Sequence, residues 1–277
     1  MRFRFARAPE SSILTAMETP RGEWIYGRRP VAELLRAGRR HVYEAVLPQE
    51  GREGRDLTGI RAQLLAAAVP VRTVSHRELD VLLDGGNHQG IALRVGGFPY
   101  ISIEQVAHDV RERPDALVLA LDHIEDPQNV GSLLRSAEAA GVTAVVLPED
   151  RAAAVTPAAV RAAAGAAEHV RVARVVNLVR AIKTLQEAGM WCAGLDTGEG
   201  SRPYTDIDFK GRMGLVVGAE GEGLGRLVRE SCDFLAAIPM RGQVVSLNAG
   251  VAGALVLFEA LRQRNMDPPG ARAGRKL

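Results

Sequence analysis

The sequence predicts an α/β protein built from two units, a small alternating unit over residues 23–96 and a larger, mainly parallel sheet over 114–264, with a linker and helix at 97–113 between them. Three observations carry this. From residue 114 onward, strand-like and helix-like segments alternate, as in a parallel sheet with crossover helices. Several strand-like runs are continuously apolar (Leu117–Leu121, Val145–Leu147, Leu215–Val217), as expected where helices cover both faces of a sheet. Gly96-Gly97-Phe98-Pro99 interrupts the pattern between the units. A chain of 277 residues that is 47% hydrophobic has enough apolar material for a real core and is not wholly disordered.

The elements follow in order. Residues 1–22 show no sustained periodicity and read as a flexible extension. Met17 is an alternative start, which would leave residues 1–16 outside the native protein. Pro30 opens a helix to about Arg36, and Gly38 closes it. Val42–Leu47 reads as a strand, Leu57–Ala68 as a helix, Val71–Val74 as a strand, Ser75–Leu83 as a Ser-capped helix and His88–Val95 as a strand. Ser102 caps the linker helix. The larger unit then reads as strand Leu117–Leu121, helix Val130–Ala140, strand Ala144–Leu147, helix Pro157–Ala163, strand Val170–Val175 and helix Leu178–Ala188. Strands Trp191–Leu195, Gly214–Val217 and Phe234–Ile238 and helix Leu247–Arg264 complete it. Residues 265–277 are a basic, Pro/Gly-rich tail.

The net charge of +2 hides an uneven distribution. Residues 1–40 carry +5 and residues 261–277 carry +4, so the stretch between them carries −7. Basic ends serve as solvated tails or as arms that find phosphate backbones. Of the 35 basic side chains only Lys183, Lys210 and Lys276 are lysine. A G+C-rich genome accounts for most of that arginine bias. Two cysteines, Cys192 and Cys232, make no disulfide framework, and no Cys/His cluster suggests a metal site. The longest apolar run is too short to span a bilayer, and the N-terminus lacks the apolar core of a secretory signal. The expected location is the cytoplasm.

P-loop, GxGxxG, HExxH and GxSxG signatures are all missing, which disfavours a nucleotide-dependent oxidoreductase using the Gly-rich 218–223 turn. Three polar segments instead follow inferred strands, where open α/β sheets place their ligands. The first runs from Asp122 to Arg135, with Asn129 positioned to cap a helix and Arg135 among apolar neighbours, where it needs a partner or a solvated face. The second is Gly218-Ala219-Glu220-Gly221-Glu222-Gly223, a turn that brings a ligand close to the backbone. The third is Ile238-Pro239-Met240 through Ser246-Leu247-Asn248, where Ser246 or Asn248 could cap the last helix.

Together Asn129/Gly131/Arg135, Gly218/Glu220/Gly221/Gly223 and Ile238-Pro239-Met240…Ser246-Leu247-Asn248 resemble the three motifs of the SpoU (TrmH) family of RNA ribose 2′-O-methyltransferases. The resemblance covers about residues 23–262 and is greatest to the bacterial 23S rRNA guanosine 2′-O-methyltransferases. The first unit, through Gly27, Pro30-Val31, Leu34-Leu35 and Asn87-His88-Gln89-Gly90-Ile91, resembles their RNA-binding domain. One departure stands out: the family usually continues Val-Ser-Val-Ala after Ser-Leu-Asn, whereas this chain has Ala249-Gly250-Val251-Ala252.

The resemblance implies a SPOUT-type sheet with a deep trefoil knot, a homodimer, S-adenosylmethionine as donor, a ribose 2′-hydroxyl of 23S rRNA as acceptor, and no metal. It implies cofactor contacts from Gly218, Ile238, Met240 and Leu247, and catalytic roles for Arg135, Asn129, Glu220, Ser246 and Asn248. RNA contacts are expected from Asn87, His88 and Gln89. A free arginine is a poor base, so orientation and alkoxide stabilisation suit Arg135 better; Glu220 is the alternative proton acceptor. A tRNA target and a non-catalytic RNA-binding or ribosome-assembly factor of the same fold are the competing readings.

Overall fold

A computed structural model describes residues 22–49, 55–243 and 246–265. The predicted N-terminal extension up to residue 21, the alternative start at Met17 and the tail from 266 lie outside the described residues.

The first unit contains β1 (Glu23–Tyr26), α1 (Arg28–Ala37), β2 (Val42–Pro48), α2 (Arg55–Ala66), β3 (Val71–Val74), α3 (His76–Leu82) and β4 (Ala92–Val95). Its sheet runs β1-β4-β2-β3, with β4 antiparallel to both β1 and β2, and β2 parallel to β3. Gly38 ends α1 in the left-handed conformation expected of it. Ser75 caps α3 in a capping box with Glu78, an arrangement that contributes about 1 kcal/mol. Two expectations change. Glu23–Tyr26 is a strand, which four residues beside an unpatterned N-terminus do not announce. The strand placed at His88–Val95 begins only at Ala92, because His88–Ile91 forms a turn closed by Ile91 N–H donating to His88 O at 3.0 Å.

After α4 (Ile103–Glu112), capped by Ser102 as expected, the second unit alternates β5 (Leu117–Leu121), α5 (Pro127–Ala139), β6 (Ala144–Pro148), α6 (Pro157–Ala162), β7 (Val172–Val175), α7 (Leu178–Glu187) and β8 (Trp191–Leu195). It continues with β9 (Arg202–Pro203), β10 (Met213–Val217), α8 (Arg226–Ser231), β11 (Phe234–Ala237) and α9 (Ala249–Asn265). Two of these elements, β9 and α8, are too short for periodicity to reveal. The strand order is β7-β6-β5-β10-β8-β11-β9, and every pairing is parallel.

The continuous apolar run of β5 has the predicted cause. Leu117, Leu119 and Leu121 point into one buried cluster, while Val118 and Ala120 point into a second on the opposite face. The first cluster continues into Ile25, Val31 and Leu34, so the two units share a core. The seam between them is also polar. Arg40, its side chain fully buried, contacts Glu168 at 3.1 Å and Glu23 at 2.6 Å and donates to Gly96 O. Arg39 donates to the carbonyls of Glu168 and Val170.

β5 pairs with its sequence neighbour β6 on one side and with the distant β10 on the other. The loops leaving β5 and β10 therefore diverge and open a crevice at the carboxyl ends of the strands, the usual ligand position in open α/β sheets.

Candidate active site

The loop after β5 and the first turn of α5 form one wall of the crevice. Asp126, not Asn129, caps α5, accepting from Gln128 N–H at 2.9 Å. Asn129 sits inside the first turn, so its side chain is not consumed in capping. Gly131 explains the small residue in this motif. A Cβ there would lie 2.4 Å from Ala162 Cβ and 2.5 Å from Ala159 O, so only glycine lets α5 and α6 approach this closely.

The turn after β10 forms the opposite wall. A Cβ on Gly218 would lie 2.2 Å from Gly223 O, so the fold-back of this turn requires glycine. Gly223 N–H donates to Ala219 O at 3.0 Å and closes it, leaving Glu220 exposed at its tip. The third segment arrives with α9. Asn248 Oδ1 accepts from Val251 N–H at 3.3 Å, which makes Asn248, rather than Ser246, the residue capping α9.

Asn248 also joins the three motifs. Its Nδ2 donates to Asn129 Oδ1 at 2.8 Å and to Glu220 Oε2 at 3.2 Å. One amide thus ties together residues from three strand-end segments. Next to it, Gly250 sits in tight quarters: a Cβ there would lie 3.0 Å from Ser132 Oγ and 3.1 Å from Asn248 Oδ1, so those side chains would have to give by a few tenths of an ångström. The departure from the usual serine therefore goes with Ser132 of α5 occupying that space.

Beneath this hub lies a cavity of about 320 Å³. Gly218, Ile238, Met240 and Leu247 all line it, as does Ser246. It also takes in Leu195, Asp196 and Thr197 from the end of β8, which the motifs do not contain; their position at a strand's carboxyl end is the signal that points to them. Apolar walls from Leu195 and Ile238, backbone groups of an irregular turn and the Asp196 carboxylate suit an adenosine-sized ligand carrying hydroxyls.

Arg135 is not part of the hub. Its side chain is exposed on α5, about 9 Å along the helix axis from Asn129 at 1.5 Å per residue, and it makes no hydrogen bond or ion pair with the described residues. The solvated-face alternative holds for it, and its five donors remain open to a ligand.

The 87–89 loop divides in character. Asn87 and Gln89 are exposed, but His88 is buried. His88 Nδ1 accepts from Gly90 N–H at 3.0 Å, so Nε2 carries the proton toward Asp80 Oδ1, also at 3.0 Å. His88 shapes the loop and offers no free ring nitrogen. Gln89 Oε1 accepts from Arg28 N–H. Asn87 and Gln89 border a cleft of about 840 Å³ with Arg28, Arg29 and Arg161, the last stacked 4.3 Å over the Tyr26 ring. Arg161 comes from the second unit, so only the docking of the two units brings it here.

Burial raises both thiols: Cys192 is pushed strongly up, and Cys232 is pushed up to about 12. A raised thiol holds its proton and is a poor nucleophile. Among the described residues no group of His, Cys, Asp or Glu is arranged to hold a metal ion, and no helix is long and apolar enough to cross a membrane.

Comparison with known proteins identifies the family of both units. Residues 116–258 match the SpoU rRNA Methylase family, and residues 24–101 match the domain described as RNA 2'-O ribose methyltransferase substrate binding. The 23S rRNA (guanosine-2'-O-)-methyltransferase RlmB of Xanthomonas campestris pv. campestris is 42% identical over 245 residues, covering 87% of this chain and 97% of that protein. The putative TrmH family tRNA/rRNA methyltransferase YacO of Bacillus subtilis is 35% identical over 250 residues, covering 88% of this chain and 96% of that protein. Among solved structures, the AdoMet-bound rRNA methyltransferase from Sinorhizobium meliloti superposes with a TM-score of 0.74 at 26% identity, covering 87% of each chain. The SpoU methyltransferase AviRb from Streptomyces viridochromogenes in complex with AdoMet gives 0.73 at 26% identity, covering 88% of this chain and 91% of that one. With three motifs converging through Asn248 on one strand-end crevice, and both units matched in sequence and fold, the chain belongs to the SpoU rRNA methylase family.

Proposed function

We propose that the protein transfers a methyl group from S-adenosylmethionine to a ribose 2′-hydroxyl of structured RNA, the target being a guanosine of 23S rRNA. The observation that carries this is the Asn248 bridge, which sets Asn129 and Glu220 over a cavity formed by the family's glycine turn. The relatives matched over nearly their whole length, and named for that reaction, support the target.

When bound, the cofactor supplies an electrophilic methyl group on a sulfonium. The chain's own residues do the rest. Gly218 and Leu247 offer backbone groups, and Ile238 and Met240 offer apolar contact. Asn248 holds Glu220 and Asn129 at the cavity's edge, and in this reading Glu220 is the alternative acceptor of the hydroxyl proton. Arg135, with a planar five-donor guanidinium, serves to orient the ribose and stabilise alkoxide charge as it develops. The first unit recognises RNA, with Asn87 and Gln89 beside the arginine-lined cleft.

The protein is proposed to act in the cytoplasm as a homodimer. Val251, Leu255 and Phe258 support the dimer: they lie one helical face apart on α9 and are 49%, 41% and 48% exposed, an apolar stripe suited to a second copy. The test is mapping of 2′-O-methyl marks on rRNA and tRNA from a deletion strain. Loss of one 23S guanosine mark is expected; loss of a tRNA mark alone would overturn the rRNA target. In vitro, Arg135→Ala should keep cofactor binding and lose methyl transfer, and wild-type turnover in that variant would refute its role.

A further inference from the structure

Direct methyl transfer constrains where the acceptor sits. Donor carbon and attacking oxygen must approach to about 3–3.5 Å in line, so the acceptor site has to share a wall with the cofactor cavity. A second cavity among the described residues meets that condition. It has a volume of about 620 Å³, and Ala219, Glu220 and Glu222 line it as well as the cofactor cavity. Asn129 of the hub also lines it. The turn that closes over the donor on one face is thus the floor of this second cavity on the other.

Two side chains with no role so far project from its rim, His123 and Arg151. Both have left-handed backbone, φ 56° and 51°, which a non-glycine residue adopts at a cost. The loops that carry them leave the adjacent strands β5 and β6 and are tied together by Ala153 N–H donating to Ile124 O at 2.8 Å. His123 is held from behind. Its Nδ1 lies 2.7 Å from Asp122 Oδ1, while the other oxygen of that buried carboxylate accepts from Gly225 N–H at 2.8 Å. In the neutral imidazole the Nδ1 proton faces Asp122, and Nε2 is the ring nitrogen that can accept. Arg151 is exposed and makes no hydrogen bond or ion pair with the described residues.

We propose that this cavity receives the splayed-out acceptor guanosine and that His123 and Arg151 hold its base. The proposal rests on the reading of the protein as a guanosine-directed methyltransferase and names the groups that read the base. Guanine presents two acceptors, O6 and N7, which an arginine fork matches. It also presents N1–H and N2–H donors, which the His123 lone pair and the Glu125 carboxylate at the same rim are suited to accept. Adenine offers an amino donor where guanine has O6 and would place that donor against the Arg151 guanidinium.

The experiment measures methyl transfer from labelled S-adenosylmethionine to an rRNA fragment by wild type, His123→Ala and Arg151→Gln. Cofactor affinity and thermal unfolding are measured alongside. Each substitution should raise KM for RNA about tenfold, with cofactor affinity and unfolding temperature unchanged. A fragment carrying 7-deazaguanosine at the target should be a poorer substrate for wild type, with no such penalty in Arg151→Gln. Variants that use RNA with wild-type KM, or that change only cofactor affinity, overturn the proposal while leaving the methyltransferase reading intact. Failure of the wild-type enzyme to methylate any guanosine fragment would overturn that reading and the proposal with it.

Discussion

Replacing Arg40 with methionine tests the seam that fixes the RNA-recognition unit to the methyltransferase unit. Arg40 contacts Glu168, Glu23 and Gly96 O, and the Glu168 side chain is 1% exposed. Methionine preserves apolar volume but strands the Glu168 carboxylate without its cation. Removing one partner of a buried pair costs about 3–5 kcal/mol, because the other charge stays desolvated. For a chain of this size that corresponds to a fall in Tm of about 10 °C. Burial already raises the Glu168 carboxyl above the usual carboxylate range against the pull of Arg40, and loss of Arg40 raises it further. A carboxyl with a raised pKa in the folded state holds its proton more tightly there than in the unfolded chain. Stability is therefore best preserved below the unfolded value of about 4.3 and is lost as pH rises through the folded value. The deficit of Arg40→Met should accordingly shrink toward pH 5 and widen toward pH 8. Adding Glu168→Gln should recover most of it and flatten the pH dependence. Differential scanning calorimetry across this range provides the check. A Tm within about 2 °C of wild type at pH 8, or no recovery in the double variant, would refute the assignment of a buried, coupled pair.

Three further outcomes are expected. Gly131→Val should destabilise by more than 1–3 kcal/mol (about the usual range for overpacking), since its first added carbon already meets Ala162 Cβ and Ala159 O; chemical denaturation measures this. Phe258→Asp should shift the protein from dimer to monomer in analytical ultracentrifugation, and a monomeric wild type at micromolar concentration would remove the basis for the α9 interface. Cys192 and Cys232 should resist a thiol-specific disulfide reagent at pH 8 until the chain is unfolded. Because burial raises both thiols, stability should fall as pH rises past the unfolded thiol value of about 8.5.

What the sequence determined by itself is mostly local. The apolar run of β5, the capping serines Ser75 and Ser102, the left-handed Gly38 and the glycines of the 218–223 turn each act through neighbours a few residues away, so their chemistry is visible in order. The motif spacing likewise picked out residues that line one cavity beneath the Asn248 hub. Where a local reading failed, the competitor was also local: Asp126 stood three residues nearer the helix start than Asn129 and took the cap. The tertiary structure decided which distant groups meet. Asn248 reaches Asn129 across 119 residues because α9 packs on α5, and no periodicity encodes that contact. It buried His88 while leaving Asn87 exposed, set Arg161 of the second unit beside the first, and set His123 and Arg151 on a cavity that shares Ala219, Glu220 and Glu222 with the one beneath the hub. The physical reason is that hydrophobic patterning fixes which face of each element is buried, whereas strand order and the close approach of helices at Gly131 fix which loops converge.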